Sequence, residues 1–311
     1  MIDGVYHKTA VVIQHLQYLV ALARERHFGR AAASCHVSQP TLSAGIQRLE
    51  LELAAPLVRR GRRFEGLTAE GELILERAQR ILSDVEGLPG DLGSLRGQLE
   101  GRLRLGAVPT SLAAVGLLCV PMHELHPRVQ IQVFSLNSRE IAQQLHDFEL
   151  DCGLTYLDSE PIAGVRTLPL YAERYLLLCS AESPLAARRS VTWQDAASLD
   201  LCLLTPDMQN RRIIDAAFAR VGIVPRPVVE TNSVATIFPL VGDGRIASVV
   251  AHSWLHLFGV GAGLRTVPLV DPVETRTIGL VWPDRDPESR VARALCDVAG
   301  GLDLEAALAA S

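Results

Sequence analysis

The stretch Phe28–Gln47 reads FGRAAASCHVSQPTLSAGIQ and holds two short helical patterns with a tight break between them. In the first, Phe28, Ala31, Ala32 and Cys35 recur at i, i+3, i+4 and i+7, one face of a helix. His36 and Val37 fall in the break. Ser38 stands where an N-cap belongs, and Pro40 sits in the first turn, where its missing N–H costs nothing. In the second pattern Leu42, Ile46 and Leu49 mark a buried face. Gln39, Thr41, Ser43, Gln47 and Arg48 mark the opposite one. A helix, a turn of about three or four residues and a second helix form the helix-turn-helix plan. The second helix of that plan enters the major groove. Gln bonds adenine bidentately, Arg bonds guanine, and Thr touches a thymine methyl. An ordinary helical hairpin with a solvated polar face fits the same residues, so the flanking sequence has to decide.

Upstream, Leu16, Leu19, Val20 and Ala23 form a helical stripe that would pack behind the pair and complete a three-helix core; residues 1–12 show little pattern. Downstream, Arg59, Arg60, Gly61, Arg62 and Arg63 lie between short apolar segments. Four arginines around a glycine read as a β-wing whose tip meets phosphates, contacts that fix register and give salt-dependent affinity. A basic surface loop is the plainer alternative. The charge distribution favours the wing. Residues 1–67 carry nine basic and five acidic side chains, a net of +4, which leaves −9 on the rest of a chain whose total is −5. A basic head on an acidic body fits a nucleic-acid module joined to something else.

The chain has 311 residues, 48% hydrophobic and 21% charged, the composition of a soluble globular protein of two or three domains. No run of 18 apolar residues suggests a membrane span, and no leader pattern opens the sequence, so the expected location is the cytoplasm. The six cysteines are widely spaced, without CxxC, and read as buried thiols in a reducing compartment.

Thr68 opens a long helix whose Ile74, Ala78, Ile81, Val85 and Leu88 follow heptad steps, the seam of a helix that pairs with another. Gly87, Pro89, Gly90 and Gly93 are expected to end or kink it, which makes residues 87–101 a hinge. From Arg102 strand and helix patterns alternate, the signature of a parallel sheet with helices on both faces. The expected organisation is a winged helix-turn-helix over 1–67, a linker helix and hinge for dimerisation over 68–100, and an effector-binding domain over 101–311. The fold class is thus α/β with an N-terminal all-α head, its α/β part forming two lobes, about 101–169 with 265–300 and about 170–264.

Two such lobes leave a cleft, and ligands in open α/β sheets lie at the carboxyl ends of strands. Thr110 and Ser111, Thr155 and Tyr156, Thr205, and Thr231, Asn232 and Ser233 all fall at strand ends. They are the expected effector site, suited to a compact polar molecule such as a carboxylate, with Arg211 and Arg212 near enough to neutralise it. Each is equally well an N-cap. Catalytic signals are weak: GxGxxG, GxxxxGK[ST] and GxSxG are all missing, and neither His123 with His126 nor His252 with His256 has a third metal ligand in view. No cofactor, metal or enzymatic activity is expected.

The succession RAAASCHVSQPTLSAGIQRLE, LVRRGRRFEGLTAEGELIL, HPRVQIQV, LDCGLTY, SPLA at 183–186 and LVGDGRIASVV resembles the LysR-type transcriptional regulators over nearly the whole chain from Ile13 to about Gly300. The resemblance implies a sensor like the periplasmic binding proteins, dimers through linker helices and a dimer of dimers on two half-sites of double-stranded DNA. It also implies an effector that alters tetramer shape, DNA bending and recruitment of RNA polymerase. By position it places Arg30, Ser38, Gln39, Pro40, Thr41, Ser43 and Arg48 on DNA, with the wing arginines on the backbone; Phe28 and Gln47 complete the DNA-binding set. Thr110, Ser111, Thr205 and 231–233 match effector positions. The expected function is an effector-responsive regulator activating a neighbouring operon; the alternative is a small-molecule binding protein whose head serves assembly only. Two departures stand out. Pro89 falls where linker helices of the family often continue, and His252 stands where a proline is usual. Peroxide-sensing members use a cysteine pair in the second lobe, and Cys202 has no nearby partner in sequence, which disfavours redox sensing.

Overall fold

The computed structural model describes residues 11–60, 64–95, 99–285 and 288–309. The chain divides into two compact units at Pro89–Gly90. The first contains α1 (Ile13–Glu25), α2 (Phe28–Ser34), α3 (Gln39–Leu53), the hairpin of β1 (Val58–Arg60) and β2 (Phe64–Leu67), and the start of α4 (Ala69–Leu95). Its core joins Leu19 and Leu22 of α1, Ala31 and Ala32 of α2, and Leu42, Ile46 and Leu49 of α3 with Leu57, Leu67 and Ala78. Each fully buried leucine there contributes about 2 kcal/mol. Gly45 lets α1 and α3 approach closely, since a Cβ at that position would stand 2.5 Å from the Tyr18 ring.

The helix ends follow the chemistry of their residues. Ser38 Oγ accepts the Thr41 N–H at 3.3 Å and caps α3, as its position predicts. His27 caps α2, its Nδ1 accepting Gly29 and Arg30 N–H groups at 3.1 and 3.3 Å. In the turn His36 takes φ 55°, and the Val37 N–H returns to the Ala32 carbonyl, closing α2 as a glycine commonly does. Thr68 Oγ1 accepts the Gly71 N–H at 2.9 Å and opens α4.

Of the two outcomes expected near Gly87, an end or a kink, the end does not occur: α4 runs through Pro89 to Leu95. Proline removes one i→i−4 bond, but α5 and α9 below also carry interior prolines. Ile74 and Ala78 reach the core, whereas Ile81, Val85 and Leu88 are exposed.

The second unit is a mixed sheet with helices. Its elements are β3 (Glu100–Ala107), a 3-10 turn at Pro109–Ser111, α5 (Leu112–Leu125), β4 (Arg128–Ser135), α6 (Ser138–His146), β5 (Cys152–Tyr156) and β6 (Val165–Ser180). They continue with β7 (Val191–Thr192), α7 (Trp193–Ala197), β8 (Cys202–Leu204), α8 (Gln209–Arg220), β9 (Val229–Thr231) and α9 (Val234–Gly242). The last elements are β10 (Ser248–Ala251), α10 (Trp254–Phe258), β11 (Leu264–Val270), β12 (Thr275–Pro283), α11 (Arg290–Gly300) and α12 (Leu304–Ala309). The principal strand order is β4-β3-β5-β12-β6-β11-β7, with β10 also on β6 and β8 paired to β9.

The parallel sheet expected from the alternating pattern forms only in part, and the whole is mixed. β3 runs parallel to β4 and β5, but β12 is antiparallel to β5 and β6, and β10 and β11 are antiparallel to β6. The reason is β6, a single 16-residue strand. Its first part pairs with β12, and residues Tyr175–Ser180 pair with β10 and β11. Pro169 sits opposite Gly279 at a register shift, the kind of irregularity where a strand tolerates proline. β6 therefore belongs to both lobes, and the expected division at residue 170 falls inside it. Lobe 1 gathers β3, β4, β5 and α5, α6; lobe 2 gathers β7–β11 and α7–α10.

Candidate functional site

On α3 the two faces separate as the sequence requires. Leu42, Ile46 and Leu49 are buried; Ser38, Gln39, Pro40, Thr41, Gln47 and Arg48 are exposed and Ser43 is half-buried. Ser38 and Thr41 share a hydroxyl hydrogen bond of 2.8 Å. Arg48 Nε donates to Glu52 at 3.0 Å, and Arg30 Nη2 donates to the Glu25 carbonyl at 2.5 Å, so both arginines are already oriented. Such exposed pairs are worth at most about 1 kcal/mol and do not hold the side chains back from phosphate or guanine. Phe28 behaves differently: its ring meets Phe64 of β2 edge-on at 6.3 Å, so it packs the hairpin against α2. Arg59 is exposed on β1, and Arg60 ends that strand; Arg62 and Arg63 lie outside the described residues.

In the second unit the lobes meet across a small cavity of about 10 Å³, roughly the space of one water. Val108, Thr110, Ser138, Tyr156, Gln209 and Asn210 are among its lining residues. Only Thr110 and Tyr156 of the expected effector residues line it. Ser111 is buried and donates to the Val108 and Leu154 carbonyls at 2.9 and 3.2 Å. Thr155 neighbours Tyr156 on β5 and so faces the other side of the sheet. Thr205 pairs through its N–H with the Thr231 carbonyl, and Thr231 Oγ1 accepts the Ser233 N–H; these two residues, Asn232 and Ser233 lie outside the cavity wall. Sequence reasoning misses Asn137, Ser138, Gln209 and Asn210, although each starts a helix after a strand or loop, the very rule that selects Thr110.

Behind the cavity lies a polar network. Tyr156 OH donates to Glu173 Oε1 at 2.6 Å, and Tyr175 OH donates to the same oxygen at 3.1 Å. With its proton so placed, Tyr156 receives Thr110 Oγ1 at 3.1 Å and Asn210 Nδ2 at 3.3 Å. Glu173 is fully buried, and burial pushes its carboxyl up to about 7 despite the phenolic donors that oppose the rise. Burial and the Glu173 charge hold the Tyr156 phenol well above its ordinary range. Nothing in the strand pattern around AERYLLL distinguishes Glu173 from a solvent-facing residue, so sequence gives no signal for it.

The same residues close the lobes on one another. Arg212 of α8 grips Glu160 with two hydrogen bonds of 2.6 Å and reaches Ser138 Oγ at 3.3 Å. The resulting attraction holds the Glu160 carboxyl below its usual range. Gln209 Nε2 donates to the Ser159 carbonyl at 2.6 Å, and Ser253 Oγ donates to the Thr110 carbonyl at 3.1 Å. Arg211 is buried and bonds Asp215, the Leu204 carbonyl and Glu230. Both arginines expected to meet a carboxylate are thus committed to this chain's own acids. His252 is buried beside β6, its Nδ1 accepting the Arg174 N–H at 3.1 Å, and burial lowers its basicity. A larger surface groove, about 580 Å³, runs along α11 between Leu99, Leu125 and Arg293; none of the expected effector residues reaches it.

Cys119, Cys152, Cys179 and Cys202 offer little nucleophilicity. Burial raises Cys202 and Cys179, and takes Cys119 to about 11; Cys152, against Cys296, is held well above the ordinary thiol range. A thiol reacts as its thiolate, which these surroundings suppress. Among the described residues no helix is long and apolar enough to cross a membrane.

Comparison with known proteins bears on both units. Residues 13–72 match the bacterial regulatory helix-turn-helix protein, lysR family, and residues 96–301 match the LysR substrate binding domain. The DNA-binding transcriptional dual regulator OxyR of Escherichia coli K12 is 31% identical over 277 residues, 88% of this chain and 90% of the relative. A full-length OxyR variant from Pseudomonas aeruginosa superposes with a TM-score of 0.72 at 30% identity, covering 93% of this chain and 97% of that one. CbnR solved with its target DNA shares the fold, with a TM-score of 0.62 at 19% identity, over 93% and 99% of the two chains. With an exposed polar recognition helix beside an Arg-bearing hairpin in one unit and a two-lobed α/β receptor in the other, the chain belongs to the LysR family of DNA-binding transcriptional regulators.

Proposed function

We propose that this regulator reads its operator with the polar face of α3 and answers to a small molecule taken between the lobes of the second unit. Gln39, Thr41, Ser43, Gln47 and Arg48 meet base edges; Ser38, Arg30 and the wing arginines Arg59, Arg60, Arg62 and Arg63 meet the backbone. Pro40 lets α3 enter the groove by its first turn, and Phe28 serves by packing. The exposed Ile81, Val85 and Leu88 of α4 pair with a second copy, and two such dimers bind two half-sites. The protein acts in the cytoplasm, is a regulator and not an enzyme, and activates a neighbouring operon through RNA polymerase.

The observation that carries this reading is the division of α3 into a buried apolar face and an exposed hydrogen-bonding one. The effector side rests on the closed cavity at Thr110, Tyr156, Gln209 and Asn210. An effector of several heavy atoms has to part the Arg212–Glu160 and Gln209–Ser159 pairs to enter. It thereby shifts the populations of two lobe arrangements, provided it binds one better. Several relatives are named hydrogen peroxide-inducible genes activators; the suppression of Cys179 and Cys202, the thiols of the second lobe, argues against a response through a thiol there.

A salt titration of DNA binding tests the first half. The regulator loses affinity steeply with salt, with a slope near −0.9 per phosphate neutralised, and Gln39→Ala weakens binding to the preferred sequence alone. Indifference to both overturns the reading. For the second half, thermal-shift screening of the full chain against small organic acids is expected to give a hit that Thr110→Val removes.

A further inference from the structure

The segment joining α3 to the wing is gripped from two helices. From α3, the Glu50 carboxylate accepts two successive backbone N–H groups through Oε1, Leu57 at 2.9 Å and Val58 at 3.1 Å. From the start of α4, Thr68 Oγ1 donates to the Pro56 carbonyl at 2.6 Å, and the Thr68 N–H donates to the Leu57 carbonyl at 3.0 Å. Gly71 lies so close that any Cβ there would collide with the Leu57 carbonyl oxygen. Glu50 is 8% exposed. An acid buried to that extent is tolerated where hydrogen bonds replace its water, and Glu50 receives them from the residues that begin β1.

This makes α3 a helix with two tasks. Its exposed face carries Gln39, Thr41, Gln47 and Arg48, and its buried face carries the acid that sets where the wing begins. We propose that Glu50 is a positioning residue for DNA binding: it fixes the spacing between the base-reading face of α3 and the arginines of the wing. The inference rests on the proposed wing–phosphate contact. Glu50 itself touches no DNA. A wing freed from it still carries its arginines, but they no longer reach the phosphates in register with α3. Loss of Glu50 therefore removes the wing's share of the backbone affinity and spares base choice, because phosphate contacts position while base contacts specify.

The test uses the full chain and a duplex that the wild-type protein selects from a random pool, compared with a scrambled duplex across a salt series. Five proteins are needed: wild type, Glu50→Ala, Glu50→Gln, Arg59→Ala/Arg62→Ala/Arg63→Ala, and this last wing variant combined with Glu50→Ala. The wing variant is expected to flatten the salt slope by about 0.9 for each phosphate it no longer neutralises. Glu50→Ala is expected to flatten it by the same amount, to keep the preference for the selected duplex, and to show no additional loss when combined with the wing variant. Glu50→Gln, which retains an acceptor oxygen, is expected to fall between Ala and wild type. If Glu50→Ala loses its helical circular dichroism, Glu50→Gln carries the test alone. A wild-type slope in a folded Glu50 variant, or effects that add to those of the wing variant, overturns the proposal. An unchanged slope in the wing variant overturns the wing–phosphate contact itself, and this proposal with it.

Discussion

The two polar surfaces of this molecule are built in opposite ways. On α3, the Gln39 and Gln47 side chains stand in solvent and make no hydrogen bond among the described residues. Around the cleft, Thr110, Tyr156, Gln209 and Asn210 are all buried, and each is bonded within the chain. On the reading proposed above, a surface that reads DNA has to be ready before the DNA arrives, so Gln39 and Gln47 are left to water while Thr41 and Arg48 keep only local partners. On the same reading, a pocket that responds to a ligand has to store an alternative arrangement: most of its polar groups bond one another, while Gln209 Oε1 and Asn210 Oδ1 are buried without a partner among the described residues. Mutation should therefore separate binding from stability on α3 and join them at the cleft.

The sharpest way to break this contrast is pH. The Glu173 carboxyl titrates near 7 in the folded unit, against 4.5 in its ordinary state. Between those values the native chain holds a proton that the unfolded chain has released. Stability accordingly falls as pH rises from about 4.5 to 7, by on the order of 3 kcal/mol. Trp193, Trp254 and Trp282 all lie in the second unit, so tryptophan fluorescence in urea at pH 5 and pH 8 follows it selectively. Glu173→Gln should abolish the difference; an equal difference in wild type and variant would show that the buried acid is not its source.

Tyr156→Phe comes next in size. It removes one donor from Glu173 and leaves Thr110 and Asn210 without their shared partner, at a cost of about 2 kcal/mol in the same urea assay. A loss under about 0.5 kcal/mol would mean the network is not holding the cleft. On the other surface, Gln39→Ala is expected to lower affinity for the preferred duplex about tenfold, roughly 1.4 kcal/mol, with stability unchanged within about 0.5 kcal/mol. Destabilisation by more than that would put Gln39 in the fold and not on DNA. The smallest effect belongs to Glu52→Gln, which frees Arg48. The exposed pair contributes less than about 1 kcal/mol, and DNA affinity should hold or rise slightly as a negative charge leaves the surface. A clear drop in affinity would instead give Glu52 a part in aiming Arg48.

What sequence alone determined is local. Ser38, Pro40 and the spacing of Leu42, Ile46 and Leu49 specify α3 and its outer face, because caps and helical periodicity act within a few residues. Thr68 opens α4 for the same reason. Only the tertiary structure decided what depends on distant partners: that Pro89 does not stop α4, that Val165–Ser180 is one strand serving both lobes, that Phe28 leans on Phe64, and that Thr155 and Thr231–Ser233 stay out of the cavity. Glu50 and Glu173 are the extreme cases. Each is an ordinary acid in its own stretch of chain. Its setting comes from the low-dielectric surroundings and the donors that folding brings to it, groups 7 to 17 residues away or, for Tyr175, two residues along the same strand face.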